Sequence, residues 1–112
     1  MAKLECALCG DFDAILNDLT NTVMDGSATA TLEEESDFCD GNCRLAVRAF
    51  ERYSYFGGNR VSLTIVLLKN QDTIFLTAIA TGGSQAVFFK MNTVGEDGFL
   101  DTVIETVEKY KA

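Results

Sequence analysis

The chain has no histidine, no proline and no tryptophan among its 112 residues. Without histidine, no side chain has an unperturbed pKa near neutrality. Ser-His-Asp and Cys-His mechanisms and His-containing zinc sites are therefore excluded. Catalysis would need a carboxylate, thiol, amine or phenol with a shifted pKa, so we expect a protein that is not an enzyme and needs no cofactor.

Positive charge is scarce. The chain has nine Lys and Arg residues and seventeen Asp and Glu residues, which gives a net charge of −8. Proteins that bind nucleic acids use clustered cations to displace counterions from phosphates, and anionic membrane surfaces attract the same clusters. We expect neither nucleic acid nor membrane as a partner.

Long apolar runs are also missing. The longest, Val61 to Leu68, is interrupted by Ser62 and Thr64 and is far too short to span a membrane. The residues after Met1 lack the apolar core of a signal peptide. We expect a cytosolic protein in which residues 1–112 form one domain, because this length suits a single core.

In the first half of the chain, apolar residues alternate over Lys3–Cys9, which predicts a strand, and then recur at helical spacing. Asp11 is a good N-cap for that helix. The pattern predicts, in order, a strand at Lys3–Cys9, a helix at Phe12–Met24 ending at Gly26, a strand at Ser27–Leu32, and a solvated turn formed by the acidic stretch Glu33–Asp37 with Asp40-Gly41-Asn42.

The segment Arg44–Tyr55 fits both a strand and one face of a helix. We favour a strand, because Gly57-Gly58-Asn59 reads as a hairpin turn before the next strand. The remaining predicted elements are strands at Val61–Leu68, Thr73–Ala80 and Ala86–Met91, turns at Asn70-Gln71-Asp72 and Gly82-Gly83-Ser84, and a helix at Phe99–Tyr110.

The predicted order is β-α-β-β-β-β-β-α, an α+β fold. Strands joined by tight turns form an antiparallel meander, and two amphipathic helices cover only one of its faces. The other face is expected to carry apolar residues such as Val66, Leu68, Phe75 and Ile79 or their neighbours. An uncovered apolar face indicates a pocket or a dimer interface.

Four cysteines form two short pairs, Cys6 with Cys9 and Cys39 with Cys43. Four thiolates can hold zinc tetrahedrally, and this is the least favoured hypothesis. The spacing of the second pair is loose, and the glycine-rich knuckle expected around the first pair is missing. We interpret the thiols as reduced, partly buried small hydrophobes.

A group of arginine and tyrosine side chains near the predicted hairpin is the main candidate site. Four of the nine cations lie between residues 44 and 60, and guanidinium groups beside tyrosine hydroxyls suit a carboxylate or phosphate. Pairing of the arginines with surrounding acids is the alternative interpretation. The candidate ligand-binding residues are Arg48, Arg52, Tyr53, Tyr55, Asn59, Arg60, Ser84 and Gln85.

The block from Glu51 to Leu63 (ERYSYFGGNRVSL) and the block from Gly82 to Ala86 (GGSQA) resemble a family of small bacterial proteins of unknown function. The resemblance covers nearly the whole chain. It implies one domain and no established activity, and the cysteines are not part of the family pattern. At the level of fold alone, a meander closed by a C-terminal helix is also similar to helix-grip ligand-binding domains.

Two functional hypotheses follow. The first is a non-catalytic domain that binds a small anionic or amphipathic ligand through the arginine and tyrosine group. The alternative is a structural or interaction protein that forms a homodimer through its uncovered sheet face.

Overall fold

A computed structural model describes residues 2–53, 60–82 and 102–112. Its elements are β1 (Ala2–Leu8), α1 (Phe12–Asp25), β2 (Thr31–Asp40), β3 (Cys43–Tyr53), β4 (Arg60–Asn70), β5 (Thr73–Gly82) and a C-terminal helix, α2, whose described residues are 102–110. The predicted strand Ala86–Met91, the turn Gly57–Asn59 and the start of the last helix lie outside the described residues.

The five strands form one antiparallel sheet in the order β1-β5-β4-β3-β2. Strands β2 to β5 are a meander of sequential neighbours, and β1 pairs with β5 at the far edge. The predicted α+β class, with an antiparallel meander and two helices, is confirmed.

Helix α1 begins where the sequence predicts. The Asp11 carboxylate accepts a hydrogen bond from the backbone N–H of Ala14 at 3.0 Å, which satisfies one of the free donors of the first turn. Its apolar residues recur at helical spacing and are buried as one stripe: Phe12, Ile15, Leu16, Leu19 and Val23. Gly26 is the C-cap residue.

One face of the sheet carries the core. Alternate residues of the central strands point toward the helices and are fully buried, among them Phe50, Leu63, Ile65 and Leu76. They form one cluster with the α1 stripe and with Val103 and Val107 of α2. Both helices therefore pack on the same face, which we call the covered face. The opposite side is the open face.

The acidic stretch is the main correction to the predicted elements. Glu33–Asp37 is not a turn but part of β2, and the strand predicted at Ser27–Leu32 begins only at Thr31. Among the described strands, β2 lies at an edge and pairs with β3 alone, and it is exposed along most of its length. An edge strand with both faces partly in water tolerates charges that a central strand does not. The turn that follows contains only Gly41 and Asn42, and Gly41 has a φ of 59°.

The ambiguous segment is a strand. It forms β3 and pairs along its whole length with β4, from Cys43 opposite Asn70 to Tyr53 opposite Arg60. Residues 54 and 55 lie outside the described part of the chain. The short turn predicted around Gln71 is confirmed, because β4 ends at Asn70 and β5 begins at Thr73.

Candidate functional site

The arginines of β3 lie on the covered face, and two of them, Arg44 and Arg48, bind protein carboxylates. Arg44 donates two hydrogen bonds to Asp13 of α1, at 2.9 and 3.1 Å, and its guanidinium lies 4.3 Å from the centre of the Phe12 ring. The hydrogen bond from Arg44 holds the pKa of Asp13 below its usual range. This pair ties β3 to the N-terminal turn of α1.

Arg48 is more enclosed than Arg44, with a side chain only 11% exposed against 37%. It binds both carboxylate oxygens of Asp37 on β2, at 3.0 and 3.3 Å. It also donates to the carbonyl oxygens of Val47, at 2.9 Å, and Ser36, at 3.4 Å. Its donors thus join the edge strand to β3.

Arg60 lies on the other side of the sheet. Its guanidinium is 2.7 Å from Glu51 and 3.6 Å from Glu33, and it stacks 5.3 Å from the centre of the Tyr53 ring. Because Tyr53 and Arg60 are register partners, both face away from Arg48. The structure therefore divides the candidate group between the two faces.

The rest of the candidate group is only partly described. Arg52 is the register partner of the buried Val61 and so shares the covered face with Arg48. Tyr55, Asn59, Ser84 and Gln85 lie outside the described residues. Ligand binding by the whole group stays a prediction.

The four cysteines are all free thiols. Cys39 pairs with Arg44 and Cys43 pairs with Asp40, so the two thiols point to opposite faces of the hairpin. Burial raises the pKa of Cys6, which disfavours the reactive thiolate. Among residues 2–53, 60–82 and 102–112, no three His, Cys, Asp or Glu side chains are grouped to hold a metal ion.

The open face carries an apolar row that crosses all five strands. The register places its members opposite one another in successive pairs of strands. In sheet order, this apolar row is Ala7, Phe75, Leu68, Leu45 and Phe38. Phe38 is 61% exposed, and Phe75 and Leu68 are 38% and 37% exposed. Large apolar side chains this exposed and this contiguous are uncommon on a monomer surface.

The neighbouring row is also partly apolar. Val66 and Val47 are register partners on this face, and Ile79 lies one row further from the β4–β5 turn. The sequence correctly indicated Val66, Leu68, Phe75 and Ile79, but it missed Phe38 and Leu45. A phenylalanine inside an acidic stretch was the available signal for Phe38.

A second feature lies where the two hairpin turns meet. The backbone N–H of Gln71 donates to the carbonyl of Asn42 at 3.1 Å. Beside this contact is a polar cleft of about 380 Å³, also lined by Gly41, Arg44, Lys69 and Asp72. Lys69 forms no salt bridge with any described acid.

The fold and these surfaces define a small α+β protein with one helix-covered and one open sheet face. The chain belongs to a family of unknown function (DUF6054), whose model matches residues 1–111. No curated protein matches the chain significantly, and neither does any solved structure. Within the described part of the chain, no helix is both long and apolar enough to cross a membrane.

Proposed function

We propose that this protein is a non-catalytic interaction protein that forms a homodimer through its open face. The apolar row is the observation that carries the proposal. Its Phe38, Phe75 and Leu68 side chains are partly exposed to water in the single chain, and burying apolar surface is the dominant favourable contribution to association. We also propose that it acts in the bacterial cytosol, a reducing compartment that suits its free thiols.

The size of the open face suits a stable dimer. Five strands of seven to eleven residues, spaced by about 4.8 Å, give a surface of roughly 24 by 30 Å. The resulting area of roughly 700 Å² approaches the ~800 Å² per partner of a standard interface. Face-to-face packing of two sheets is a common way to complete a core.

The ion pairs favour this function over ligand capture by the predicted group. The guanidinium groups of Arg44, Arg48 and Arg60 already bind Asp13, Asp37 and Glu51. A ligand carboxylate would have to displace these acids, whereas a second sheet on the open face leaves the covered-face pairs of Arg44 and Arg48 intact.

Sedimentation of the full chain with two matched variants tests the proposal. Leu68 on the open face and Met24 on α1 are both 37% exposed, so Leu68→Lys and Met24→Lys change equally exposed apolar positions. We expect wild type and Met24→Lys to sediment as dimers and Leu68→Lys as a monomer. A wild-type monomer at high micromolar concentration contradicts the proposal.

Binding of a small anion is the second candidate function, and the cleft between the hairpin turns favours it. The ammonium group of Lys69 lines that cleft beside the guanidinium of Arg44. It forms no salt bridge with a described acid, although its charge also acts on Asp13. Thermal unfolding with phosphate, citrate and acetate tests it. Stabilisation that is lost in Lys69→Gln supports binding there, and no stabilisation by any of the three contradicts it.

A further inference from the structure

The open face is asymmetric from edge to edge, and this asymmetry restricts how two copies can pack. Strand β4 lies at the centre of the sheet, with the acidic β2 at one edge and β1 at the other. The apolar row follows the same order, with Leu68 at its centre, the bulky Phe38 at the β2 edge and the small Ala7 at the β1 edge.

Resting on the proposed homodimer, we infer that its two-fold axis runs approximately parallel to β4. This axis superposes the two sheets over their whole area and brings β2 of each copy onto β1 of its partner. The apolar row then meets itself in reverse order. Leu68 lies against Leu68 of the partner subunit, and Phe38 lies over the partner's Ala7.

The packing of side chains supports this orientation. Interiors fill best where large side chains face small ones, and the reversed row places its most exposed ring, that of Phe38, over a methyl group at both edges. Between edge and centre, Leu45 faces the partner's Phe75. No position of the row places two phenylalanines against each other.

Charge complementarity supports it independently. One row of the open face has Lys3 at its β1 edge and Glu34 at its β2 edge. Successive register partners across the sheet define this row: Lys3, Ile79, Thr64, Ala49 and Glu34. The axis along β4 places Lys3, whose ammonium group also lies 3.4 Å from the exposed Glu5 carboxylate of its own chain, over the partner's Glu34, twice by symmetry. Aligned sheets cross at about 30°, which shifts edge positions by roughly 5 Å, a distance that these long side chains span.

An axis perpendicular to the strands is disfavoured at either place where it could cross β4. An axis along the row of Thr64, near the middle of β4, would stack each acidic β2 on its counterpart and set Glu34 against Glu34 of the partner subunit. The apolar row lies near the turn between β4 and β5, since Leu68 is only two residues from the end of β4 at Asn70. An axis along that row would overlap about half of each sheet, well below the ~800 Å² per partner of a standard interface.

Charge reversal tests the orientation. Glu34→Lys places two like-charged contacts across the interface, and we expect the dissociation constant to rise about tenfold. Adding Lys3→Glu to Glu34→Lys restores the pair with its polarity reversed, and the dissociation constant returns to within about threefold of wild type. The matched control combines Lys3→Glu with Glu105→Lys on α2 and has the same net charge as the first double variant. We expect its dissociation constant to stay above that of wild type.

The outcomes separate this inference from the proposed function. A dissociation constant that returns toward the wild-type value in the Lys3→Glu and Glu34→Lys double variant, but not in the control, supports the axis along β4. A wild-type dimer whose double variant is no tighter than Glu34→Lys overturns the orientation and leaves the homodimer standing. A wild-type monomer overturns both.

Discussion

Replacement of Phe38 by threonine tests whether the ring of Phe38 is buried in a dimer interface or remains exposed to water. Threonine, being β-branched, favours a strand as phenylalanine does, and the change removes the aromatic surface. Phe38 is 61% exposed, which for a side chain of roughly 200 Å² leaves roughly 120 Å² in contact with water. At about 25 cal/mol per Å², its complete burial stabilises a complex by about 3 kcal/mol.

The expected effect on the dimer is large, because the change occurs in both copies. Threonine retains about half of the apolar contact, so each copy loses about 1.5 kcal/mol and the dimer about 3 kcal/mol. This corresponds to a rise in the dissociation constant of roughly 100-fold. The free energy of unfolding of the monomer changes by less than about 0.5 kcal/mol, as is usual for exposed positions.

Sedimentation equilibrium measures the first quantity, and urea unfolding at a concentration below the dissociation constant measures the second. Met24→Thr, an apolar-to-polar change on α1, serves as control and is expected to leave the dissociation constant unchanged. Dimerisation of Phe38→Thr as tight as that of wild type would contradict burial of the Phe38 ring between the two copies.

Three further predictions concern the single chain. Phe50 is fully buried, so Phe50→Ala is expected to lower the free energy of unfolding of the protein by about 3–5 kcal/mol. A decrease of less than about 1 kcal/mol in urea unfolding would contradict the core described above. Arg44 lowers the pKa of Asp13. The ion pair of these two residues therefore stabilises the folded chain above the unfolded pKa of Asp13, about 3.9, and this stabilisation is lost as pH falls through the lowered folded pKa. The difference in urea stability between wild type and Arg44→Gln should shrink from pH 7 to pH 2, and a constant difference contradicts this. The hydrogen bond from Tyr110 to Asp18 raises the tyrosine pKa, so its stabilisation is present below pH ~10 and is lost as pH rises through the folded pKa; in thermal unfolding, Tyr110→Phe should lose less stability than wild type on alkalinisation.

Most of the fold was predictable because its signals are local. The helical spacing from Phe12 to Val23 and the N-cap at Asp11 defined α1, and the alternation in Val61–Leu68 defined β4. Strand β2 was not predictable in this way. Its acids resemble a solvated turn, and only pairing with β3, where Asp37 meets Arg48, makes an extended conformation favourable.

The candidate site was harder to predict for the same reason. Arg44, Arg48 and Arg52 are spaced by four residues, which places them on one face of a strand, as the register of β3 with β4 shows. However, the partners of Arg44 and Arg48 lie 31 and 11 residues away in the chain, and spacing alone does not identify them. The apolar row was predictable only in part, because its order across five strands depends on the register of four strand pairs.

The most direct test of the homodimer is an isotope-filtered NOE measurement on an equal mixture of ¹³C-labelled and unlabelled full-length chains. It detects contacts between copies and ignores contacts within one chain. We predict NOEs from the Leu68 methyl groups to Leu68 of the partner subunit, and from the Leu45 methyl groups to the ring of the partner's Phe75. A spectrum without intermolecular NOEs to any side chain of the apolar row would contradict the account.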